Sequence, residues 1–123
     1  MKVMVVDDEE DIQFLFKQKF RREIKDGKIE FNFALSAEAA LDYLQKQGEA
    51  SVVLLLSDIN MPGMNGLELL KIIKTNYKSL KVIMITAYGD ENTYQKAIAY
   101  GANDYVNKPI NFDNLKRLVF GEI

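Results

Sequence analysis

Residues 52–66 read VVLLLSDINMPGMNG, and this stretch decides how the chain folds. Its first five residues are apolar without a break, which favours a strand covered on both faces of a parallel sheet. Asp58 and a loop rich in turn-forming residues follow at once. An Asp in such a loop is more often a turn residue than a reactive one. The role of Asp58 therefore depends on what the other strands deliver to the same place.

The composition excludes several classes of chemistry. The 123 residues predict a single domain over 1–123, and they include neither cysteine nor histidine. Disulfides, thiolate sites, the commonest general base and the commonest zinc ligand are therefore absent. A net charge of −2 gives no reason to expect direct nucleic-acid binding. Any metal binding or catalysis must depend on oxygen ligands and lysine.

The apolar runs are too short for a targeting or membrane-spanning role. The N-terminal run of about four residues does not reach the length of a signal-peptide core, and acidic residues follow it. No other run approaches the length that crosses a bilayer. We therefore expect a cytoplasmic protein with no membrane partner.

Short apolar runs mark the predicted strands. The first, third and fourth runs are nearly continuous, as expected of strands buried on both faces. The second alternates between apolar and polar residues, which favours an edge strand. The five runs lie at residues 3–6, 29–35, 52–56, 82–85 and 105–106.

Amphipathic helical patterns separate these runs. Apolar residues recur in them at three- and four-residue steps. Ser36 and Asn111 stand where N-caps are expected, and Gly101 is placed to close the fourth helix. The five patterns cover residues 12–24, 37–44, 67–73, 94–98 and 112–118.

Strand and helix alternate five times, which predicts a (βα)5 domain of the α/β class. Such a pattern favours a doubly wound, five-stranded parallel sheet with helices on both faces. In this architecture ligands bind beyond the carboxyl ends of the strands. Candidate functional residues should therefore be sought where each predicted strand ends.

The predicted strand ends carry residues suited to one reaction. Carboxylates gathered at one rim repel each other unless a cation lies among them, and Mg²⁺ is the cation that oxygen ligands of this kind favour. A carboxylate can then attack a phosphoryl group and form an acyl phosphate. The residues concerned are Asp7-Asp8, Ser57-Asp58, Thr86-Ala87 and Asn107-Lys108-Pro109.

Each of these residues also has an ordinary interpretation. Asp7-Asp8 could equally begin a helix, and Thr86 alone is more often a simple β-branched strand residue. Lys108-Pro109 alone reads as a loop. The functional interpretation gains weight because four strand ends together supply carboxylates, a hydroxyl and an ammonium group, which phosphoryl transfer requires.

The chain resembles the receiver domain of bacterial two-component response regulators over essentially its whole length, from Val3 to about Val119. Several separated motifs in the right order make this a specific resemblance. It implies the flavodoxin-like strand order 2-1-3-4-5. The motifs read VVDDE at residues 5–9, LLSDINMPGMNG at 55–66, ITA at 85–87 and GANDYVNKP at 101–109.

The resemblance implies that Asp58 accepts a phosphoryl group from a histidine kinase or a histidine phosphotransfer protein. Asp7, Asp8 and Asp58 would bind Mg²⁺, with the backbone carbonyl of Asn60 as a further ligand. Lys108 would pair with the phosphoryl group. The protein would then be a signalling domain that catalyses its own phosphorylation and dephosphorylation, without a turnover substrate.

The resemblance also implies a switch. Thr86 would move its hydroxyl towards the phosphoryl group while Tyr105 turns inward. Lys108–Pro109 would be a cis peptide bond. Asn60 and Tyr88 would set the lifetime of the phosphoryl group.

An unknown downstream protein would bind the surface formed by the fourth helix, fifth strand and fifth helix of the five-helix pattern. That surface would include Tyr94, Tyr100, Tyr105 and the Lys116-Arg117 region. Core packing is an equally good interpretation of Tyr94. We expect a stand-alone receiver, with a fragment of a longer regulator as the alternative.

Two other classes compete with this interpretation. A magnesium-dependent phosphatase with an aspartyl-phosphate intermediate also needs carboxylates and a lysine, but its family places the nucleophile in an Asp-x-Asp pattern after the first strand. A flavodoxin-like binding module would need a phosphate-binding loop there, and the acidic residues 7–11 have the wrong charge for one. A degenerate receiver would lack one of the five residues Asp7, Asp8, Asp58, Thr86 and Lys108.

Overall fold

The computed structural model describes residues 1–87 and 91–121, with the side chain of Glu49 left out. Five parallel strands form one sheet in the order β2-β1-β3-β4-β5, which confirms the predicted fold class and strand order. The strands are β1 (Lys2–Val6), β2 (Glu30–Ala34), β3 (Leu54–Asp58), β4 (Lys81–Thr86) and β5 (Asp104–Asn107).

Six α-helices and one short 3₁₀ turn (Glu49–Ser51) connect or follow the strands over the described residues. None of these helices is long and apolar enough to cross a bilayer. The helices are α1 (Asp11–Lys19), α2 (Arg21–Lys25), α3 (Ala37–Gln47), α4 (Gly66–Asn76), α5 (Glu91–Ala99) and α6 (Phe112–Phe120).

The sheet separates two cores of different composition. Helices α3, α4 and α5 pack on one face with Leu, Ile, Ala and Met side chains, and half-buried tyrosines surround this core. Helices α1 and α6 cover the other face, where Phe16 and Phe20 are fully buried. Four more phenylalanines pack around these two, and their rings make mainly edge-to-face contacts. Burial of both faces explains the continuous apolar runs of β1, β3 and β4.

Helix termini follow the local sequence. The hydroxyl oxygen of Ser36 accepts a hydrogen bond from the N–H of Ala39, and the side chain of Asn111 accepts one from Asn114, so both predicted N-caps are confirmed. Gly101 has φ +98°, a conformation that L-residues rarely adopt. Its N–H donates to the carbonyl of Ile98, which ends α5 as predicted.

The predicted helix over residues 12–24 is wrong as a single element. It breaks at Phe20, whose φ of −104° and ψ of 18° leave the helical range. The ring of Phe20 is fully buried and lies 5.1 Å from the ring of Phe31, centroid to centroid. Core packing of this ring accompanies the bend, after which Ile24 is 38% exposed and leaves the apolar stripe.

The apolar stripe predicted for residues 94–98 is also only partly correct. Ala97 is fully buried, but Tyr94 and Ile98 are 39% and 45% exposed. Two of the three positions of the predicted stripe therefore lie at the surface.

Candidate functional site at the carboxyl ends of the strands

Strand register brings the sequence-predicted residues to one edge of the sheet. Val6 of β1 pairs with Ser57 of β3, so Asp7 and Asp58 follow neighbouring positions. Asp58 in turn pairs with Ile85 of β4, one residue before Thr86. Because all strands are parallel, these polar residues leave the sheet on the same side.

Asp7, Asp8 and Asp58 form a compact carboxylate cluster. One oxygen of each lies within 4.8 Å of the others. Asp7 and Asp58 are buried, whereas Asp8 is exposed. Solvent can therefore reach the cluster from the side of Asp8.

Lys108 from the loop after β5 provides the positive charge of the site. Its Nζ lies 3.3 Å from Oδ2 of Asp7 and 3.7 Å from Oδ2 of Asp58. Burial lowers the pKa of Lys108, but the charges of Asp58, Asp7 and Glu9 outweigh burial and raise it. The ammonium group is therefore held in its charged form between two carboxylates.

The surroundings of Asp58 destabilise its charged form, whereas those of Lys108 stabilise the charged form of the lysine. Burial raises the pKa of its carboxyl group, and the charge of Asp7 adds to this rise. The opposing charge of Lys108 lowers the pKa without cancelling the increase. The ionised form of Asp58 is thus costly in this site, and an added cation would relieve that cost.

The donor set fits a hard divalent cation. The cluster offers only carboxylate oxygens, which suit Mg²⁺ and do not suit the softer metals that prefer thiolate or imidazole. Asn60 is exposed and follows Asp58 by two residues. The metal role of its backbone carbonyl stays a prediction.

Close packing fixes the loop that follows Asp58. Gly66 begins α4, and its N–H donates to the carbonyl of Ile59 over 2.8 Å. A Cβ at position 66 would lie 2.1 Å from the backbone oxygen of Asp58, so only glycine fits there. Asn65 and Glu68 form a capping box at the same helix start. The predicted turn therefore returns the chain directly onto the backbone of Asp58.

The remaining predicted residues lie on β4 and β5. Thr86 is 3% exposed at the end of β4, and its carbonyl accepts a hydrogen bond from the N–H of Lys108. The Lys108–Pro109 peptide bond is cis. Tyr105 is half-buried in β5, and its ring stands edge-on to Tyr94 at 5.2 Å. Tyr88 lies outside the described residues.

One contact of the site escaped sequence reasoning. The carboxylate of Glu38 on α3 accepts a hydrogen bond from the N–H of Met64, in the loop after Asp58, over 3.2 Å. A Cβ at Gly63 would lie 3.0 Å from the same carboxylate. The partners are 26 residues apart, and an acidic residue in the first turn of a helix has a sufficient local explanation. No signal in the sequence pointed to this contact.

Comparison with known proteins supports the interpretation of the fold and identifies the family. The family model described as "Response regulator receiver domain" matches residues 3–120. The DNA-binding transcriptional regulator NtrC of Proteus hauseri is 39% identical over 117 residues, which make up 95% of this chain and 23% of that protein. Sporulation initiation phosphotransferase F of Bacillus subtilis is 33% identical over 118 residues, which make up 96% of this chain and 90% of that protein.

A solved structure extends the similarity to three dimensions. The chemotaxis protein CheY4 of Vibrio cholerae superposes with a TM-score of 0.83 at 28% identity, covering 99% of this chain and 98% of that one. The doubly wound parallel sheet of this chain places it in the same flavodoxin-like class of α/β domains as that structure. The chain belongs to the response regulator receiver domain family of two-component systems.

Proposed function

We propose that this chain is the phosphoacceptor of a two-component phosphorelay and that Asp58 is the residue phosphorylated. One observation carries the proposal: a buried carboxylate at the end of β3 lies within 4.8 Å of two further carboxylates and 3.7 Å from a lysine ammonium. Receiver domains interact with histidine kinases or phosphotransfer proteins, so the phosphoryl donor is a phosphohistidine of such a partner.

The transfer step uses groups already in place. An oxygen of Asp58 forms a bond to phosphorus while the N–P bond of the phosphohistidine breaks, and the electron pair leaves with the imidazole nitrogen. The product is an acyl phosphate. Lys108 lies close enough to both Asp7 and Asp58 to face the added negative charge. After the transfer, the ammonium group of Lys108 would exchange one carboxylate partner for a phosphoryl oxygen and so stay paired.

Asp7, Asp8 and Asp58 would hold Mg²⁺, with the backbone carbonyl of Asn60 as a further ligand. When bound, this ion neutralises carboxylate and phosphoryl charge, which is the main requirement of phosphoryl transfer. Asn60 and Tyr88, which follow Asp58 and Thr86 by two residues each in the sequence, would set the lifetime of the acyl phosphate.

Phosphorylation would be read out through Thr86 and Tyr105. The hydroxyl of Thr86 would move towards the phosphoryl group and favour the inward position of Tyr105, shifting an existing equilibrium. The downstream protein would bind the surface formed by α5, β5 and α6. This surface corresponds to the predicted fourth helix, fifth strand and fifth helix, because the first predicted helix is divided into α1 and α2.

The test is incubation with Mg²⁺ and acetyl phosphate, followed by intact-mass measurement. The unmodified protein should gain one phosphoryl group, and Asp58→Asn should gain none. Asp42→Asn is a matched control, since it removes an exposed carboxylate on α3 and should leave the gain unchanged. EDTA should also prevent the gain.

Absence of phosphorylation in folded, unmodified protein would contradict the proposal. So would equal labelling of the Asp58→Asn variant. A phosphate ester assay addresses the competing phosphatase interpretation, which requires continued release of phosphate over many turnovers.

A further inference from the structure

A groove with an apolar floor runs between the helix pair α1–α2 and the edge strand β2. Its volume is about 600 Å³. Ile24, Ile29 and Phe31 contribute its apolar lining, and Ile24 is 38% exposed although the helical pattern predicts it to be buried. The break at Phe20 turns Ile24 away from the core, so this apolar surface exists because of the bend.

Basic side chains surround the same groove. Lys17, Arg21 and Lys25 line it, against a single acidic residue, Glu30. An adjoining depression of about 430 Å³ shares Arg21 and Lys25 and adds Arg22 and one acidic residue, Asp26, so three of its four lining residues are basic. The whole chain has a net charge of −2, so this concentration of positive charge is local and favours an anionic ligand.

The strand beside the groove has one free edge among the described residues. β2 pairs with β1 alone and ends the sheet. The N–H of Glu30 and the carbonyl of Ala34 bond towards β1 and the segment around it. Backbone groups alternate in direction along a strand, so those of Phe31 and Phe33 point to the opposite edge. Such an edge can accept another strand.

We propose that this groove binds an extended, acidic peptide segment of a partner protein as an added strand beside β2. Main-chain hydrogen bonds to the edge would give affinity, and alternate side chains would give specificity. An apolar side chain would occupy the floor at Ile24 and Ile29. Carboxylates of the peptide would face Arg21 and Lys25.

The shape of the groove distinguishes a peptide from a membrane surface. A concave floor beside a strand edge accepts an inserted side chain, whereas membrane binding depends on a protruding apolar face. Lys17 also lies over the ring of Phe33, with its Nζ 5.6 Å from the ring centroid, and so holds its charge above the edge strand. The groove shares no residue with the carboxylate cluster, and the proposal does not depend on phosphorylation of Asp58.

The experiment uses a fluorescein-labelled seven-residue peptide with glutamate, isoleucine and glutamate at alternate positions and serine elsewhere, so that the two glutamates and the isoleucine share the face of the added strand that is turned to the groove. Fluorescence anisotropy should show saturable binding to the full chain that weakens as salt is added. A peptide with glutamine in place of glutamate should bind about tenfold more weakly, because the charge pairs are lost. Amide NMR shifts should change first at Phe31 and Phe33.

Matched charge reversals test the location. Arg21→Glu with Lys25→Glu should weaken binding about tenfold or more. Lys78→Glu with Lys81→Glu changes the net charge by the same amount outside the groove and should have little effect. Asp58→Asn should bind like the unmodified protein. If the first double variant does not fold, Arg21→Gln with Lys25→Gln replaces it.

Three results would overturn the proposal. These are absence of peptide binding, equal loss in both double variants, and shift changes centred away from β2. Binding to vesicles containing anionic lipid, without binding to the peptide, would assign the groove to a membrane surface instead and would equally overturn it.

Discussion

At the scale of single residues, the site concentrates negative charge beyond what its own lysine balances. Lys108 contacts both buried carboxylates, yet the pKa of Asp58 still rises, chiefly because of burial. A group whose acid pKa is raised by folding opposes folding when it is ionised. Ionised Asp58, the residue proposed to react, therefore lowers the stability of the folded protein.

Asp58→Asn should stabilise the metal-free protein at pH 7. The native state of the unmodified protein binds more protons than the unfolded state between the ordinary pKa of Asp and the raised one, so its free energy of unfolding falls as pH rises through that window. In Asp58→Asn an uncharged amide replaces the carboxyl group, so this fall in the free energy of unfolding does not occur. Urea unfolding in EDTA should show the variant to be more stable at pH 7, with the difference shrinking below the ordinary pKa of Asp.

Mg²⁺ provides the counterpart of that measurement. At a concentration 100 times its dissociation constant, a ligand that binds only the folded state stabilises it by about 2.7 kcal/mol. The unmodified protein should gain this stability, and Asp58→Asn should gain less because one ligand has lost its charge. If Asp58→Asn is less stable than the unmodified protein in EDTA at pH 7, ionised Asp58 does not destabilise the fold as argued above.

At the scale of elements, α4 is coupled to the site by its first turn. Asn65 caps the helix, and Gly66 lies directly against the backbone of Asp58. Helix α6 has a comparable cap at Asn111, whose side chain accepts the N–H of Asn114. Both caps use an Asn side-chain oxygen, but only Asn65 belongs to a capping box, and only Asn65 adjoins the carboxylate cluster through the neighbouring glycine.

Asn65→Ala and Asn111→Ala should each cost about 1 kcal/mol of stability, the usual cost of losing an Asn cap. Only Asn65→Ala should also weaken Mg²⁺ binding, because the start of α4 supports the backbone that carries Asp58. Calorimetric titration with Mg²⁺ and urea unfolding separate the two effects. Equal Mg²⁺ affinity in both variants would show that the cap acts on stability alone.

At the scale of the whole molecule, distant segments meet through side chains as well as through the sheet. Lys116 on α6 lies 3.1 Å from a carboxylate oxygen of Glu23 on α2, and its Nζ lies 5.3 Å from the centre of the Phe20 ring. Burial acts to raise the pKa of Glu23, but a backbone hydrogen bond and Lys116 outweigh it and lower that pKa. The ion pair therefore links α6 to α2, just after the helix break at Phe20.

Lys116→Met should destabilise the protein by about 1 kcal/mol at pH 7, near the upper value for a pair of this exposure. A lowered acid pKa contributes stability above the unfolded-state pKa, and that contribution is lost as pH falls through the folded-state pKa. The difference should therefore shrink in acid, leaving only the loss of the ring contact.

Lys46→Met is the control, because its ion pair with Asp42 is more than half exposed on both sides and should contribute close to nothing. Thermal unfolding from pH 7 to pH 3 measures both variants. A difference for Lys116→Met that does not change with pH would exclude the ion pair as its source.

Most of the fold could be predicted because local pattern and tertiary structure agree. The runs around Val5, Leu55 and Ile83 are continuous because helices cover both faces of the sheet, and parallel topology then brings Asp7 and Asp58 to one edge. The placing of α4 also followed from the turn residues before it. The catalytic and metal-binding roles of these residues stay predictions until phosphorylation and Mg²⁺ binding are measured.

The rest depended on contacts between distant segments. The helix broke at Phe20 where its ring packs against Phe31, and periodicity alone contains no information on that partner. The hydrogen bond from Met64 to Glu38 likewise joins residues that no local rule relates. Of the three apolar positions predicted to face the core from α5, only Ala97 is buried, and Ile98 is exposed. An apolar pattern of three residues does not show which of its positions will be buried.

The described tyrosines and the buried phenylalanines lie on opposite sides of the sheet, so tyrosine absorption and fluorescence can be used to follow one side. All five described tyrosines lie on the α3–α5 side or beside Tyr105, while the phenylalanine core occupies the opposite side. The chain has no tryptophan, so tyrosine dominates its near-ultraviolet absorption and emission. The five described tyrosines therefore report optically on the side of the sheet that carries the proposed switch, whereas the phenylalanine rings on the other side contribute almost no signal.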